Sequence, residues 1–230
     1  MKISVIGKKY KDIIVELDQF NSNETNKINP PKEKLGGVFN VLNLDLHKSN
    51  IIEPILEGLK QAIIINERSK SIRSSLTWDI ESYSYDLPTK TDWIHVMYID
   101  DISDPFKLLY SDIPISLDFC TDTPREKYNS IINCSEFVLD SRERKNLYSE
   151  IKSETPIILH DRHGCEINIQ NEVVFSLKIN PIEGISVNGA GDIFSVFFIE
   201  EYKLNNLHDC CKIATSKTVK ELIRRNNEKV

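Results

Sequence analysis

Cysteine is sparse in this chain and never occurs as a Cys-x-x-Cys pair. The five cysteines form an odd set: Cys120, Cys134, Cys165, Cys210 and Cys211. An odd number without paired spacing argues against a disulfide framework and against a zinc ribbon, and it is typical of a reducing compartment. We therefore expect a cytoplasmic protein.

Long apolar runs and an excess of positive charge are also missing. No apolar stretch approaches the ~20 residues that a membrane helix needs, and no signal-peptide core follows Met1. The 35 acidic residues outnumber the 29 basic ones, which gives a net charge of −6. Such a chain is a poor electrostatic match for nucleic acid or anionic lipid, so we expect neither partner.

The composition that is present is typical of a globular protein. Hydrophobic residues make up 40% and charged residues 28% of the 230 positions. This length suits one domain, so residues 1–230 are predicted to form a single unit.

After residue 90 the chain alternates between short apolar strands and helices. Strands are predicted at 93–99, 113–118, 136–139 and 156–160, and helices at 104–110, 124–132 and 142–152. A hairpin around Gln170-Asn171 and two helices, at about 190–203 and 207–226, follow. The alternation predicts an α/β fold with a mostly parallel sheet and helices on both faces.

The first third of the chain is less regular. Strands are predicted at 3–6 and 13–15, a helix at 38–47 and a hairpin at 62–78. Residues 50–60 stay open between a helix start and an edge strand, because Pro54 fits either. The polar, proline-bearing stretch 21–34 predicts a small lid or flap over residues 15–34, reduced to a loop.

Glycine is scarce, and four of the eight glycines stand in two clusters, each directly before a predicted helix: Gly36-Gly37 and Gly189-Ala190-Gly191-Asp192. Neither is a Walker loop or a dinucleotide fingerprint. The second cluster has two interpretations. It is either a tight turn with a helix-capping acid, or a backbone cradle for a phosphoryl group beside a carboxylate that takes a proton.

The second cluster, followed by Phe194, resembles the C-terminal signature of the ribokinase or PfkB-type carbohydrate kinases. Weaker matches lie in the family's order along the chain: Gly7 with Asp12, Gly36-Gly37 with Asn40, the strand ending at Asp118, and Gly164 before Val173-Val174-Phe175.

This resemblance implies an enzyme that uses ATP and Mg²⁺ to phosphorylate a primary hydroxyl of a sugar-like small molecule. Asp192 would be the general base, and we expect the backbone amides at the helix start to keep its carboxylate ionised at neutral pH. The amides of Gly189, Ala190 and Gly191 would stabilise the transferring phosphoryl group. The remaining roles implied are substrate binding for Asp12, Gly36, Gly37 and Asn40, nucleotide binding for Asn188 and Gly164, and metal binding for Asp140 and Glu143.

Several departures from the family pattern favour a second hypothesis. The family's Asn-x-x-Glu motif falls on Ser141 and Arg144 in strict register, and only a shift of one residue gives Asp140 and Glu143. Ser186-Val187-Asn188 replaces Asp-Thr-Thr, and residues 41–61 compress a strand–helix unit. The alternative is a catalytically inactive protein of the same fold that acts as a binding or assembly partner. In either case we expect a monomer or a weak homodimer.

One further cluster carries side chains that can bind metals: His160, Asp161, His163, Cys165 and Glu166. It is either a transition-metal site or a polar turn between strands, and we favour the turn because the spacing matches no known ligand pattern. Cys210 and Cys211 are adjacent on a predicted helix, and we interpret them as including one core thiol rather than as a reactive pair.

Overall fold

The computed structural model describes residues 1–7, 9–42, 44, 52–55, 59–67, 70–76, 84–183, 185 and 187–227. The strands are β1 (Ile3–Ile6), β2 (Lys9–Leu17), β3 (Lys32–Gly37), β4 (Ile52–Ile55), β5 (Leu59–Glu67), β6 (Lys70–Leu76), β7 (Trp93–Met97), β8 (Ile115–Asp118), β9 (Phe137–Ser141), β10 (Ile157–Asp161), β11 (Gly164–Ile169) and β12 (Glu172–Lys178). The α-helices are α1 (Val38–Leu42), α2 (Asn129–Cys134), α3 (Ala190–Tyr202) and α4 (Leu207–Asn227).

The main sheet has the strand order β12-β11-β10-β9-β8-β7-β1-β4. Every pairing from β10 to β4 is parallel, whereas β11 and β12 are antiparallel additions. The prediction of a mostly parallel sheet is confirmed. Pro54 lies in β4, the last strand of the sheet among the described residues, where a missing backbone N–H disturbs the ladder least. The edge-strand interpretation is therefore correct for residues 52–55, whereas residues 50, 51 and 56–58 lie outside the described part of the chain.

Helices cover both faces of this sheet, as predicted. On one face α1, α3 and α4 enclose a core that includes Trp93, Phe137 and Phe198. On the other face the core includes Tyr128, Ile131 and Tyr148 beneath α2 and a set of 3₁₀ helices.

Three helices expected from the sequence are mainly 3₁₀ helices, and they span Pro105–Tyr110, Arg125–Tyr128 and Arg142–Tyr148. The second of these continues directly into α2. The three segments are six, four and seven residues long, and short connectors commonly take the tighter 3₁₀ geometry. The apolar spacing located these segments correctly but could not separate the two helix types.

The segment over residues 15–34, expected to be a loop, belongs at both ends to strands, because β2 ends at Leu17 and β3 begins at Lys32. A second sheet with the order β3-β2-β5-β6 stands beside the main one, and residues 32–37 form its strand β3. Residues 21–31 have no strand or helix and are mostly exposed, as predicted. The sheet joins distant segments, and on one of its faces Tyr10 of β2 is buried along with Ala62 and Ile64 of β5.

Some predictions reach residues outside those the structure describes. The helix over 38–47 is described to Leu42, and the hairpin over 62–78 is described to Leu76 without its turn at 68–69. Ser186 also lies outside the described residues. Within the described part of the chain, no helix combines the length and the apolar character that crossing a membrane requires.

Candidate active site

A cleft of about 1290 Å³ opens at the carboxyl ends of the parallel strands, below the second sheet. Open parallel sheets bind their ligands at this edge. The cleft is lined by ten of the twelve predicted site residues: Asp12, Gly37, Asn40, Glu143, Gly164, Asn188, Gly189, Ala190, Gly191 and Asp192. Most of the sequence predictions therefore converge on one place, and the two predicted residues that do not line the cleft are Gly36 and Asp140.

The beginning of α3 is built around Gly189, which precedes the first helical residue and has φ 78°. A Cβ atom at this position would lie 2.7 Å from the side-chain amide of Asn40, so both the backbone conformation and the space require glycine. The first N–H groups of a helix have no partner within the helix and favour negative charge. This turn can therefore receive a phosphoryl group.

Asp192 is held from the opposite half of the chain. The Nδ2 atom of Asn40 donates a hydrogen bond to Oδ2 of Asp192 at 2.7 Å, across 152 residues of sequence. Both side chains are buried. This hydrogen bond links α1, which follows the glycine pair, to the first turn of α3, where the glycine cluster ends.

Burial raises the pKa of Asp192 to about 7, with the nearby charge of Asp118 as the second cause, while the hydrogen bond from Asn40 acts in the opposite direction. The sequence had suggested that the helix amides keep this acid ionised, and that expectation is corrected. The cost of removing the charge from water exceeds the benefit of the amides. A carboxyl group with this pKa accepts and releases protons near neutrality.

Asp118, at the end of β8, accepts two hydrogen bonds. Ser195 of α3 donates its Oγ–H to Oδ2 at 2.9 Å, and the Cys120 thiol donates to Oδ1 at 3.1 Å. Burial raises the pKa of Cys120 well above its ordinary value, so the thiol keeps its proton. Cys120 was missed as a site residue. The available signal was its position two residues after a strand-ending acid in a parallel sheet.

Asp12 lies on β2, directly against the glycine pair. A Cβ atom at Gly36 would stand 2.0 Å from Oδ2 of Asp12, which shows how closely the carboxylate approaches that backbone. Gly37 has φ 61°, which favours glycine at the point where β3 turns into α1. Burial raises the pKa of Asp12 to about 6, while the charge of Lys34 lowers it.

The metal role predicted for Asp140 disagrees with its surroundings. Its carboxylate is enclosed and accepts hydrogen bonds from Arg125 Nη2 at 2.7 Å, Arg144 Nε at 2.6 Å and Tyr148 Oη at 2.6 Å. Both oxygens are therefore used inside the protein. Glu143 does line the cleft, so its metal role stays a prediction.

The polar turn after β10 does not gather its metal-capable side chains. Glu166 pairs with Lys145 at 2.6 Å, whereas Asp161 accepts a hydrogen bond from the backbone N–H of His163 at 2.7 Å. Cys165 is buried on the helix side of the sheet, next to Thr215. Among the described residues, the only group of three or more ligand-type side chains that converges is Asp118, Cys120 and Asp192.

Two smaller predictions have clear outcomes. Cys210 and Cys211 are both completely buried, so the pair contains two core thiols where the sequence predicted one. Gly164 has φ 126°, and a Cβ atom there would stand 2.1 Å from the carbonyl oxygen of Leu177. The β11–β12 hairpin therefore requires this glycine whether or not a nucleotide is bound.

Comparison with known proteins shows the fold. No protein-family model matches the chain, and curated protein sequences provide no match either. Solved structures do match over almost the entire chain. A nucleoside kinase of Burkholderia thailandensis in complex with inosine aligns with a TM-score of 0.70 at 12% identity, covering 96% of this chain and 90% of that one.

Two further structures agree. An archaeal nucleoside kinase of the ribokinase family from Methanocaldococcus jannaschii aligns with a TM-score of 0.64 at 18% identity, covering 94% of this chain and 90% of that one. A ribokinase of Arabidopsis thaliana complexed with ribose and ATP aligns with a TM-score of 0.60 at 15% identity, with coverage of 94% and 90%. The chain adopts the ribokinase-like fold.

Proposed function

We propose that the protein is a kinase that transfers the γ-phosphoryl group of ATP to a primary hydroxyl of a sugar-like small molecule, a class in which we include nucleosides. The observation that carries this proposal is the 2.7 Å hydrogen bond between Asn40 and Asp192. It joins the candidate substrate half of the cleft to the candidate phosphoryl half. Similar structures hold ribose with ATP or inosine, which supports these ligand classes.

The acceptor would lie between Asp12, the glycine pair and Asn40. Asp12 and Asn40 present polar side chains to the cleft, and the close approach at Gly36 keeps the Asp12 carboxylate in place. Sugar hydroxyls are recognised by such fixed donors and acceptors. The reacting hydroxyl must approach Asp192 within ~2.6–3.2 Å, where the carboxylate takes its proton.

The phosphates would lie at the start of α3. The N–H groups of the first helical turn can stabilise the charge that builds on the transferring group. Asn188, Gly164 and Arg144 line the cleft and would contact the nucleotide. Arg144 stands where strict register with the family places an acid, and its guanidinium adds positive charge beside the phosphates.

Mg²⁺ accompanies ATP in phosphoryl transfer and prefers oxygen ligands, often only one or two from the protein. Asp140 does not fit this role, because its oxygens are already bonded to arginine and tyrosine. Glu143 fits, since its carboxylate lines the cleft. When bound, the ion would neutralise part of the phosphate charge.

The test is a panel of sugars and nucleosides with ATP and Mg²⁺, scored by thermal shift and by phosphoryl transfer. Asp192→Asn should lower transfer about 10²–10⁴-fold with little change in binding, because the shape is kept and the base is lost. Asp12→Ala should mainly weaken acceptor binding, since this acid orients hydroxyls. If the wild-type protein binds neither ATP with Mg²⁺ nor any acceptor, the inactive binding or assembly partner becomes the better hypothesis.

A further inference from the structure

Three side chains that can bind a metal, those of Asp118, Cys120 and Asp192, form a cluster in the cleft. One ligand-type atom from each of these side chains lies within 4.8 Å of the others. β8 positions Asp118, the turn after β8 positions Cys120 with φ 59°, and the first turn of α3 positions Asp192. Three separate backbone elements therefore aim two carboxyl groups and a thiol at one point.

Two histidines with buried Nε2 atoms stand on β7 and β10 of the main sheet. His95 is completely buried, and its Nδ1 atom shares a hydrogen bond with Ser116 Oγ at 2.9 Å. Its Nε2 atom is buried and, among the described residues, has no partner. Ser116 and Asp118 project from the same face of β8, because residues two apart on a strand do so. The unpartnered nitrogen therefore lies on the cluster's side of the sheet.

His160, on β10, likewise has an unpartnered ring nitrogen, since its Nε2 atom is buried without a partner in the described part of the chain. Its Cε1 atom would stand 3.0 Å from a Cβ atom at Gly191, the residue before Asp192. Asp118 is the charged group that acts most strongly on both imidazoles. Buried polar atoms are nearly always satisfied, so two such nitrogens beside one acid indicate a missing polar or cationic partner.

The chemistry of the donors selects the partner. Thiolate and carboxylate together are ligand types of Zn²⁺ and related transition metals, whereas Mg²⁺ prefers oxygen alone. We infer that Asp118, Cys120 and Asp192 bind a divalent transition metal of the Zn²⁺ type as three protein ligands. His95 and His160 stand near the site without belonging to the convergent group. Binding would release the Cys120 thiol proton and any proton on Asp192, because metal ligands must be deprotonated.

Metal binding here has a consequence for the proposed kinase. Asp192 cannot hold the metal and accept a proton from a hydroxyl at the same time, so Zn²⁺ would inhibit transfer. This consequence rests on the proposed function. The metal site itself does not, since its ligands and its test involve neither ATP nor an acceptor.

Co²⁺ is the probe for the site, because a cobalt–thiolate bond gives a charge-transfer band in the near ultraviolet. Chelator-treated full-length protein is titrated with Co²⁺, and the band should appear and then disappear when Zn²⁺ is added. Cys120→Ser should remove the band and lower Zn²⁺ affinity by at least the ~10–100-fold that disturbing a ligand shell costs. Cys134→Ser is the matched control, because Cys134 is an exposed free cysteine, and it should leave the spectrum unchanged.

A second measurement uses the wild-type chain alone and stays informative if Cys120→Ser does not fold. Zn²⁺ should slow alkylation of Cys120, read by peptide mass spectrometry, while Cys134 reacts at the same rate with and without metal. Absence of a charge-transfer band in the wild-type protein would overturn the site, and so would a band that survives Cys120→Ser. Loss of kinase activity with the band retained would instead count against the proposed function.

Discussion

Two buried aspartates at the same edge of the sheet, Asp140 and Asp192, have opposite surroundings. Asp140 accepts hydrogen bonds from Arg125, Arg144 and Tyr148, and the first two carry positive charge. Asp192 has one described side-chain hydrogen bond, from the neutral amide of Asn40, and it faces a second acid, Asp118.

This contrast separates a structural acid from a reactive one. A buried carboxylate that is paired with guanidinium groups is stabilised as an ion and has no lone pair left for a ligand. A buried carboxyl group beside another acid is destabilised as an ion, and the pKa of Asp192 accordingly rises to about 7. Strongly perturbed acids in a cleft are candidates for function, and of these two only Asp192 lines the cleft.

The largest expected effect on stability is at Arg125. This side chain is completely buried between Asp140 and the ring of Phe119, with 4.0 Å from its Cζ atom to the ring centroid. Arg125→Met should lower the free energy of unfolding by about 3–5 kcal/mol, because it leaves the Asp140 charge without its main buried partner. Urea denaturation followed by circular dichroism measures this.

Arg224→Met is the control for Arg125. Arg224 forms a half-exposed pair with Glu221 three residues earlier on α4, with 2.8 Å between Nε and Oε2. Exposed pairs of this kind contribute about 0–1 kcal/mol. If both arginine variants lost similar stability, the buried ion pair of Asp140 would contribute no more than a surface pair. Asp140 would then not be a structural acid distinct from Asp192.

Sequence patterns predicted the parts of this molecule that depend on local spacing. The strand–helix alternation after residue 90 and the hairpin at Gln170-Asn171 follow from periodicity and turn chemistry, and the structure confirms both. Gln170 and Asn171 have φ 51° and 67°, as a tight two-residue hairpin turn demands. Gly189-Ala190-Gly191-Asp192 was located correctly because glycine at a helix start has a local cause.

The features that the sequence did not predict depend on contacts between residues that are far apart in the sequence. Nothing near Asp140 in the sequence shows that Arg125 reaches it, and nothing near Asp192 shows that Asp118 and Cys120 do. The pKa of Asp192 was therefore predicted from its helix alone and in the wrong direction. The second sheet was likewise missed as a sheet, because β2 pairs with β5 across more than forty residues of chain.

The next effect concerns Asp192 and the pH dependence of stability. The folded protein holds a proton on this acid up to about pH 7, whereas the unfolded chain releases it near 3.8. The folded state therefore binds more protons between these values, and the free energy of unfolding falls as pH rises through that range. Asp192→Asn should remove this fall, which is on the order of 2–4 kcal/mol.

Asp140→Asn sharpens the same measurement because it should act in the opposite sense. At pH 7 it removes the partner of a buried guanidinium and should destabilise the protein, whereas Asp192→Asn should leave it equally stable or more stable. Chemical denaturation of both variants at several pH values between 4 and 8 makes the comparison. Equal losses of unfolding free energy at pH 7 would show that the two carboxyl groups contribute equally to stability.

The smallest expected effect isolates Asp118 as a cause of the Asp192 shift. Asp118→Asn keeps an oxygen that can accept from Ser195 but removes the negative charge, so the pKa of Asp192 should fall by roughly one pH unit, about 1.4 kcal/mol. It should remain above 3.8, because burial is the larger cause and the substitution does not change burial. Carbon-13 NMR titration of the Asp192 carboxyl group measures the pKa without any substrate.

Asp12→Asn provides a graded control, since Asp12 also raises the pKa of Asp192 but ranks below Asp118 as a cause, and its removal should lower that pKa less. If Asp118→Asn left the titration unchanged, burial alone would set the pKa, and the acid–acid contact would not distinguish Asp192 from Asp140.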